Sequence, residues 1–236
     1  MEGSLKTVGV LTSGGDAPGM NACIRAVVRS ALNRGCRVMG IRKGYAGLLK
    51  GDVMEMNATS VANIIHRGGT ILYTARCPEF LEVEYQDRAA EMCRIFGIDG
   101  LVVIGGDGSF RGAQKLSQRG ISVVGVPGTI DLDIVCSDYT IGFDTAVNVV
   151  VEAVSRLRDT SASHERCSVV EVMGRNCGEI ALWSGIATGA DAIMIPEDAE
   201  SQSFDHLVRV IMENRARGKN HNIIIVAEGV GHAEEL

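Results

Sequence analysis

The sequence predicts an α/β fold of two doubly wound, mostly parallel-sheet, Rossmann-like domains. Three observations carry that reading. Short runs rich in Val and Ile, such as Leu101-Val102-Val103-Ile104, alternate with amphipathic stretches of helical length. Glycine-rich turns follow several of these runs. Glycine is abundant, at 29 of 236 residues, while aromatics make up only 4%, a balance that suits many tight turns.

The elements follow in chain order. Residues 7–11 read as the first strand, and a helix over 19–33 is stopped by Gly35. A second strand is expected at 37–41. Residues 60–66 look helical and end at Gly68-Gly69. A helix at 87–96 leads into the strand at 100–104, followed by a helix at 109–118. The next strand is 122–126. Residues 143–158 form a long amphipathic helix, because Ala146, Val150, Ala153, Val154 and Leu157 recur near helical spacing. The remaining elements are a strand at 167–172, a helix at 178–188, a strand at 192–195, a helix at 204–217 and a strand at 222–227. The polar stretch 159–166 is one candidate domain junction, and a change near residue 140 is the other. The division adopted is 1–140 and 141–236.

Composition narrows the function. A formal net charge of −6 argues against bulk binding of nucleic acid. Seven cysteines show no Cys-x-x-Cys pair, which reads as free thiols in a reducing cytoplasm. No secretory leader and no apolar run of about 18 residues is expected.

Three segments carry chemistry. Gly105-Gly106-Asp107-Gly108-Ser109 lies between an expected strand and helix, where glycines let backbone N–H groups approach a phosphate. Asp107 among them suits a Mg²⁺ bridging phosphates. The bland alternative is a tight turn with an incidental Asp, and turns of this kind serve more than one kinase family. Thr12-Ser13-Gly14-Gly15-Asp16-Ala17-Pro18-Gly19-Met20-Asn21 is a second such turn, and two at one sheet edge are stronger evidence than one. Pro127-Gly128-Thr129-Ile130-Asp131-Leu132-Asp133 places two carboxylates after a strand, fit for a general base and its support or simply for an Asx turn.

Those three segments, with SDYTIGFDTA and VVEVMGRNCG in the same order and spacing, resemble the 6-phosphofructokinases over residues 6–230. The resemblance implies a nucleotide-binding first domain and a sugar-phosphate-binding second domain. It implies nucleotide contacts at Gly15, Arg76, Cys77, Gly106, Asp107, Gly108 and Ser109, with Asp107 as the Mg²⁺ position. It makes Asp131 the base, with Thr129 and Asp133 beside it, and gives Arg76 and Arg175 the neutralisation of the transferring phosphoryl group. Sugar-phosphate contacts fall on Thr129, Ile130, Asp131, Arg166, Met173, Gly174, Arg175 and Glu228, with Arg166 reaching a neighbouring subunit. A homotetramer follows, with no nucleic acid or membrane partner.

The resemblance further implies transfer of the ATP γ-phosphoryl group to the 1-hydroxyl of fructose 6-phosphate. Gly108 and Gly128 go with ATP in the family, against Asp and Lys for pyrophosphate. A pyrophosphate-dependent enzyme and a catalytically silent sugar-phosphate sensor are the alternatives. Arg25, Arg29, Arg158, Arg217 and Lys219 match an effector site, where Ala58 stands in place of a further arginine. Leu132 replaces the usual Asn between the two aspartates. The family's remaining sugar-phosphate ligands are expected beyond Leu236, which implies an incomplete second domain and little turnover by these 236 residues alone.

Overall fold

The computed structural model describes residues 6–231. They form two compact units, one of residues 6–129 with 134–142 and one of 130–133 with 143–231.

In the first unit, strands β1 (Thr7–Ser13), β2 (Arg37–Ile41), β3 (Val53–Met56), β4 (Gly100–Gly105), β5 (Ser122–Thr129) and β6 (Ile141–Gly142) form one sheet in the order β3-β2-β1-β4-β5-β6. Every pairing is parallel except β2 with β3. Strand order reverses between β1 and β4, so a crevice opens beyond their carboxyl ends. Helices α1 (Met20–Asn33), α2 (Gly44–Lys50), α3 (Val83–Ile95) and α4 (Asp107–Ser117) complete the unit. Helix α1 buries Met20, Ile24 and Val28, an i, i+4, i+8 stripe. Leu11, Ile41, Leu48, Leu101, Val103 and Leu116 share one core with Tyr45, whose ring stacks on Phe80 at 4.3 Å.

The second unit has a three-stranded parallel sheet, β7 (Cys167–Val172), β8 (Ala192–Met194) and β9 (Asn222–Ala227), in the order β7-β9-β8. Helices α5 (Phe143–Ser163), α6 (Glu179–Thr188) and α7 (Phe204–Ala216) belong to it. The central strand β9 is buried along its whole length. Its Ile223 and Ile225 pack with Phe143, Val154 and Ile180. The fold class is that expected from the sequence.

Several elements differ from expectation. Residues 60–66 form successive turns and no helix. The Asn57 carboxamide oxygen accepts from the amides of Thr59 and Ser60 at 2.9 and 3.0 Å, which starts an Asx turn where a helix was expected. Helix α2 and strand β3 escaped the sequence reading because they are short, at 7 and 4 residues. The polar run 159–163 is the last part of α5, inside the second unit, and is no junction. The chain instead passes to the second unit for residues 130–133 and again at Phe143.

Candidate active site

The turn after β1 needs glycine twice, since Gly14 and Gly19 both have φ of 89°. Gly14, Gly15 and Asp16 are exposed. Strand β4 ends where its backbone meets β1, and a Cβ on Gly105 would stand 2.4 Å from the Ser13 carbonyl oxygen. Helix α4 starts at Asp107, two residues earlier than the sequence suggested. Asp107 and Gly108 therefore occupy its first turn, where N–H groups have no intrahelical acceptor and the helix dipole is positive. Ser109 is buried, and its carbonyl accepts the Tyr45 hydroxyl at 2.6 Å.

The two glycines linked to the phosphoryl donor differ. A Cβ on Gly108 would meet nothing within 4 Å, so protein packing does not require glycine there. A Cβ on Gly128 would press on Ile104 at 3.0 Å, so packing accounts for that glycine. Asp107 is exposed and pairs with Arg111 at 2.8 Å, a surface ion pair of small worth that a stronger cation can displace. No group of three or more metal-ligating side chains occurs among the described residues. A single hard carboxylate beside open space fits Mg²⁺, which binds through one or two carboxylates plus substrate phosphates and water. Arg76 is exposed, at the end of a long segment without regular structure. The neighbouring Cys77 is half-buried, and burial pushes its thiol up.

In the second unit, residues 130–133 alternate in role. Ile130 and Leu132 pack against the core that holds Phe143 and Ile180. Leu132 does so from a left-handed backbone, φ 56°. Its apolar side chain anchors the loop between Asp131 and Asp133, a use its place between two aspartates had not suggested. Asp133 Oδ2 lies 3.5 Å from Arg175 Nη1, a long ion pair on a largely exposed arginine. Arg175 is also left-handed, φ 55°. Its backbone amide donates to Glu228 Oε1, which also accepts from the Gly174 amide at 3.0 Å. Gly174 has φ 148°, and a Cβ there would stand 2.4 Å from the Cys177 carbonyl oxygen. A Cβ on Gly229 would meet the Arg175 carbonyl oxygen at 2.5 Å. Glu228 thus shapes the turn that presents Arg175, beyond the substrate contact expected of it. Met173 and Arg166 are exposed. Burial raises the Cys177 thiol, and Glu197, Glu179 and Asp133 add to the effect.

The five cations expected at an effector site differ in their bonding. Arg25 donates to the Val61 carbonyl at 2.6 Å, and Arg29 is exposed. In the other unit, Arg158 donates to the carbonyls of Thr188 and Gly189, and Arg217 pairs with Glu213 at 3.6 Å. Lys219 is tied to Asp191, a buried carboxylate that also accepts from the Ile223 amide at 2.9 Å. The sequence reading missed Asn21 as a bonding centre. Its one signal was an Asn inside the first turn of a helix that follows a glycine turn.

A phosphofructokinase family model matches residues 7–236. The chain belongs to the phosphofructokinase family. It is 62% identical over 232 residues to the ATP-dependent 6-phosphofructokinase of Clostridium acetobutylicum, covering 98% of this chain and 72% of that protein. Among solved structures, the Pichia pastoris phosphofructokinase in the T-state matches with a TM-score of 0.90 and 43% identity, over 97% of this chain and 26% of that one. The Saccharomyces cerevisiae phosphofructokinase matches with a TM-score of 0.88 and 39% identity, over 98% of this chain and 36% of that one. As a phosphofructokinase, the chain carries both glycine turns and both aspartates of the 127–133 segment, with Leu132 between them. No helix among the described residues is long and apolar enough to cross a membrane.

Proposed function

We propose that this phosphofructokinase transfers the γ-phosphoryl group of ATP to the 1-hydroxyl of fructose 6-phosphate. The observation that carries the proposal is the pair of exposed glycine turns at the β1/β4 reversal, with a carboxylate and open space in the first turn of α4. The high identity to a relative named for ATP supports the choice of donor.

Phosphoryl transfer asks the protein mainly for positioning and charge stabilisation. Backbone N–H groups at Gly14, Gly15, Asp107 and Gly108 bind and orient the phosphates. Asp107 would hold Mg²⁺, whose chemistry is to neutralise charge on the phosphate oxygens. Asp131 takes the proton of the attacking hydroxyl. Arg175, whose backbone Glu228 holds and whose guanidinium lies 3.5 Å from Asp133, and Arg76 stabilise the charge of the transferring group. Thr129, Ile130, Arg166, Met173, Gly174 and Glu228 complete the sugar-phosphate contacts, and Cys77, Gly106 and Ser109 the nucleotide contacts. Working in the cytoplasm as a homotetramer, with Arg166 serving a neighbouring subunit, is part of the same proposal.

A coupled assay with ATP and with pyrophosphate as donors tests it. Fructose 1,6-bisphosphate formed from ATP and not from pyrophosphate is the expected result for a full-length version that carries the family's remaining sugar-phosphate ligands. Turnover with pyrophosphate alone would overturn it. Light scattering of the purified protein measures the assembly.

A further inference from the structure

Residues 57–77 run from β3 to a short 3-10 turn at Pro78–Leu81 without a helix or strand of their own, and Arg76 stands near their end. A segment this long holds one shape only if something outside it fixes its backbone. The end of β1, the turn after it and the first turn of α1 do so. The Asn21 carboxamide nitrogen donates to the carbonyls of Arg67 and Gly69 at 2.9 and 2.8 Å. Its oxygen accepts from the Ile71 amide at 2.8 Å. Asp16 Oδ1 accepts from the Thr70 amide at 2.9 Å. The Thr12 hydroxyl lies 3.0 Å from both the Thr70 hydroxyl and the Tyr73 carbonyl oxygen.

Asn21 is the centre of this set. It is only 2% exposed, and both its donor hydrogens and its acceptor oxygen are spent on one stretch of backbone. The bonds end at Tyr73, three residues before Arg76. The same turn carries Gly14 and Gly15, the proposed phosphate cradle. We infer that Asn21 is a positioning residue that fixes the 67–73 backbone to the phosphate-binding turn and thereby sets where Arg76 stands. The inference rests on the proposed role of Arg76 in phosphoryl transfer. The polar atoms of Asn21 are already engaged with the 67–71 backbone, so its part in the reaction is one of positioning.

A residue that only stabilised the fold would lower stability and leave the work of Arg76 intact. Hydrogen exchange separates the two without turnover. Asn21→Ala should speed exchange of the Thr70 and Ile71 amides while β1 and β4 stay protected. Unchanged exchange at Ile71 would overturn the inference. A double-mutant cycle in kcat then asks whether Asn21 acts through Arg76. Asn21→Ala should lower kcat about tenfold to a hundredfold, the scale of a misplaced reacting group, with KM for ATP changed far less. In an Arg76→Ala background the same change should cost less than about threefold, since nothing remains to misplace. A full-sized loss in that background would overturn the inference. Should Asn21→Ala not fold, Asn21→Asp keeps the shape and the acceptor for Ile71 but removes both donors, and it is read through the same cycle. If Arg76→Ala alone leaves kcat unchanged, the assigned role of Arg76 fails and the inference with it, while the exchange result still shows whether Asn21 holds the segment.

Discussion

The turns proposed to bind phosphate in the first unit and the turn that carries Arg175 in the second use glycine differently. In the first, Gly15 and Gly108 face open space, and a side chain at either would meet no protein atom. In the second, Gly174, Gly178 and Gly229 lie where a Cβ would collide with neighbouring atoms at 2.4–2.5 Å. Those two positions of the first unit leave room for a ligand, whereas Gly105 beside them is packed against Ser13. In the second unit, Gly174 and Gly229 let the backbone close around the left-handed Arg175, whose amide donates to Glu228, and Gly178 packs against Ile195. The difference fits the division of labour proposed above, with nucleotide binding on glycine turns of the first unit and the base and one arginine on the second.

Asp131 offers the largest test of that division. Asp131→Ala should lower kcat by roughly 10²–10⁴, the usual worth of a positioned base, with KM for ATP nearly unchanged. A comparable loss of ATP affinity would erase the division between the units.

Gly174→Ala tests the second use of glycine. A methyl group there meets the Cys177 carbonyl at 2.4 Å on a backbone of φ 148°. The change should cost about 1–3 kcal/mol of stability and lower kcat, because the strained turn carries Arg175. Thermal unfolding with steady-state kinetics reads both effects. A variant with wild-type stability would mean the turn relaxes freely.

Gly108→Ala tests the first use. It should leave stability within about 0.5 kcal/mol, as for a surface substitution, and raise KM for ATP a few-fold. Gly108→Asp should raise it further by charge repulsion. If Gly108→Ala leaves KM for ATP unchanged, the open space there has no bearing on the nucleotide.

The smallest effect belongs to Asp99, at the opposite end of β1 from the glycine turn. Its carboxyl lies below the usual range because the Thr7 and Lys6 amides donate to it, each at 2.9 Å. A lowered folded value means its stabilisation is present above pH about 4 and is lost as pH falls through that lowered value. Asp99→Asn should therefore be slightly less stable than wild type at pH 7, with the difference closing in acid and kcat untouched. A difference independent of pH would remove the carboxylate charge from the account.

Much of this was legible in the chain itself. Apolar strand runs, glycine turns and the Pro127–Asp133 segment announced the α/β class, the turns after β1 and β4 and the paired carboxylates, because each depends on neighbours a few residues away. The segment 60–66 was not legible. Its spacing suggested a helix, but Asn57 takes its first amides, and Asn21 and Asp16 bind the backbone just beyond it. Leu132 was read as a lost amide and proved to be an apolar anchor. Glu228 was read as a substrate contact and also holds the backbone amide of Arg175. The sequence by itself determined which turns exist and which charged groups they carry, since local backbone preference and periodicity are written in adjacent residues. Only the tertiary structure decided which side chain holds which loop, since those bonds join residues about 50 positions apart, as from Asn21 to Ile71 and from Glu228 to Arg175, and no local pattern encodes such a meeting.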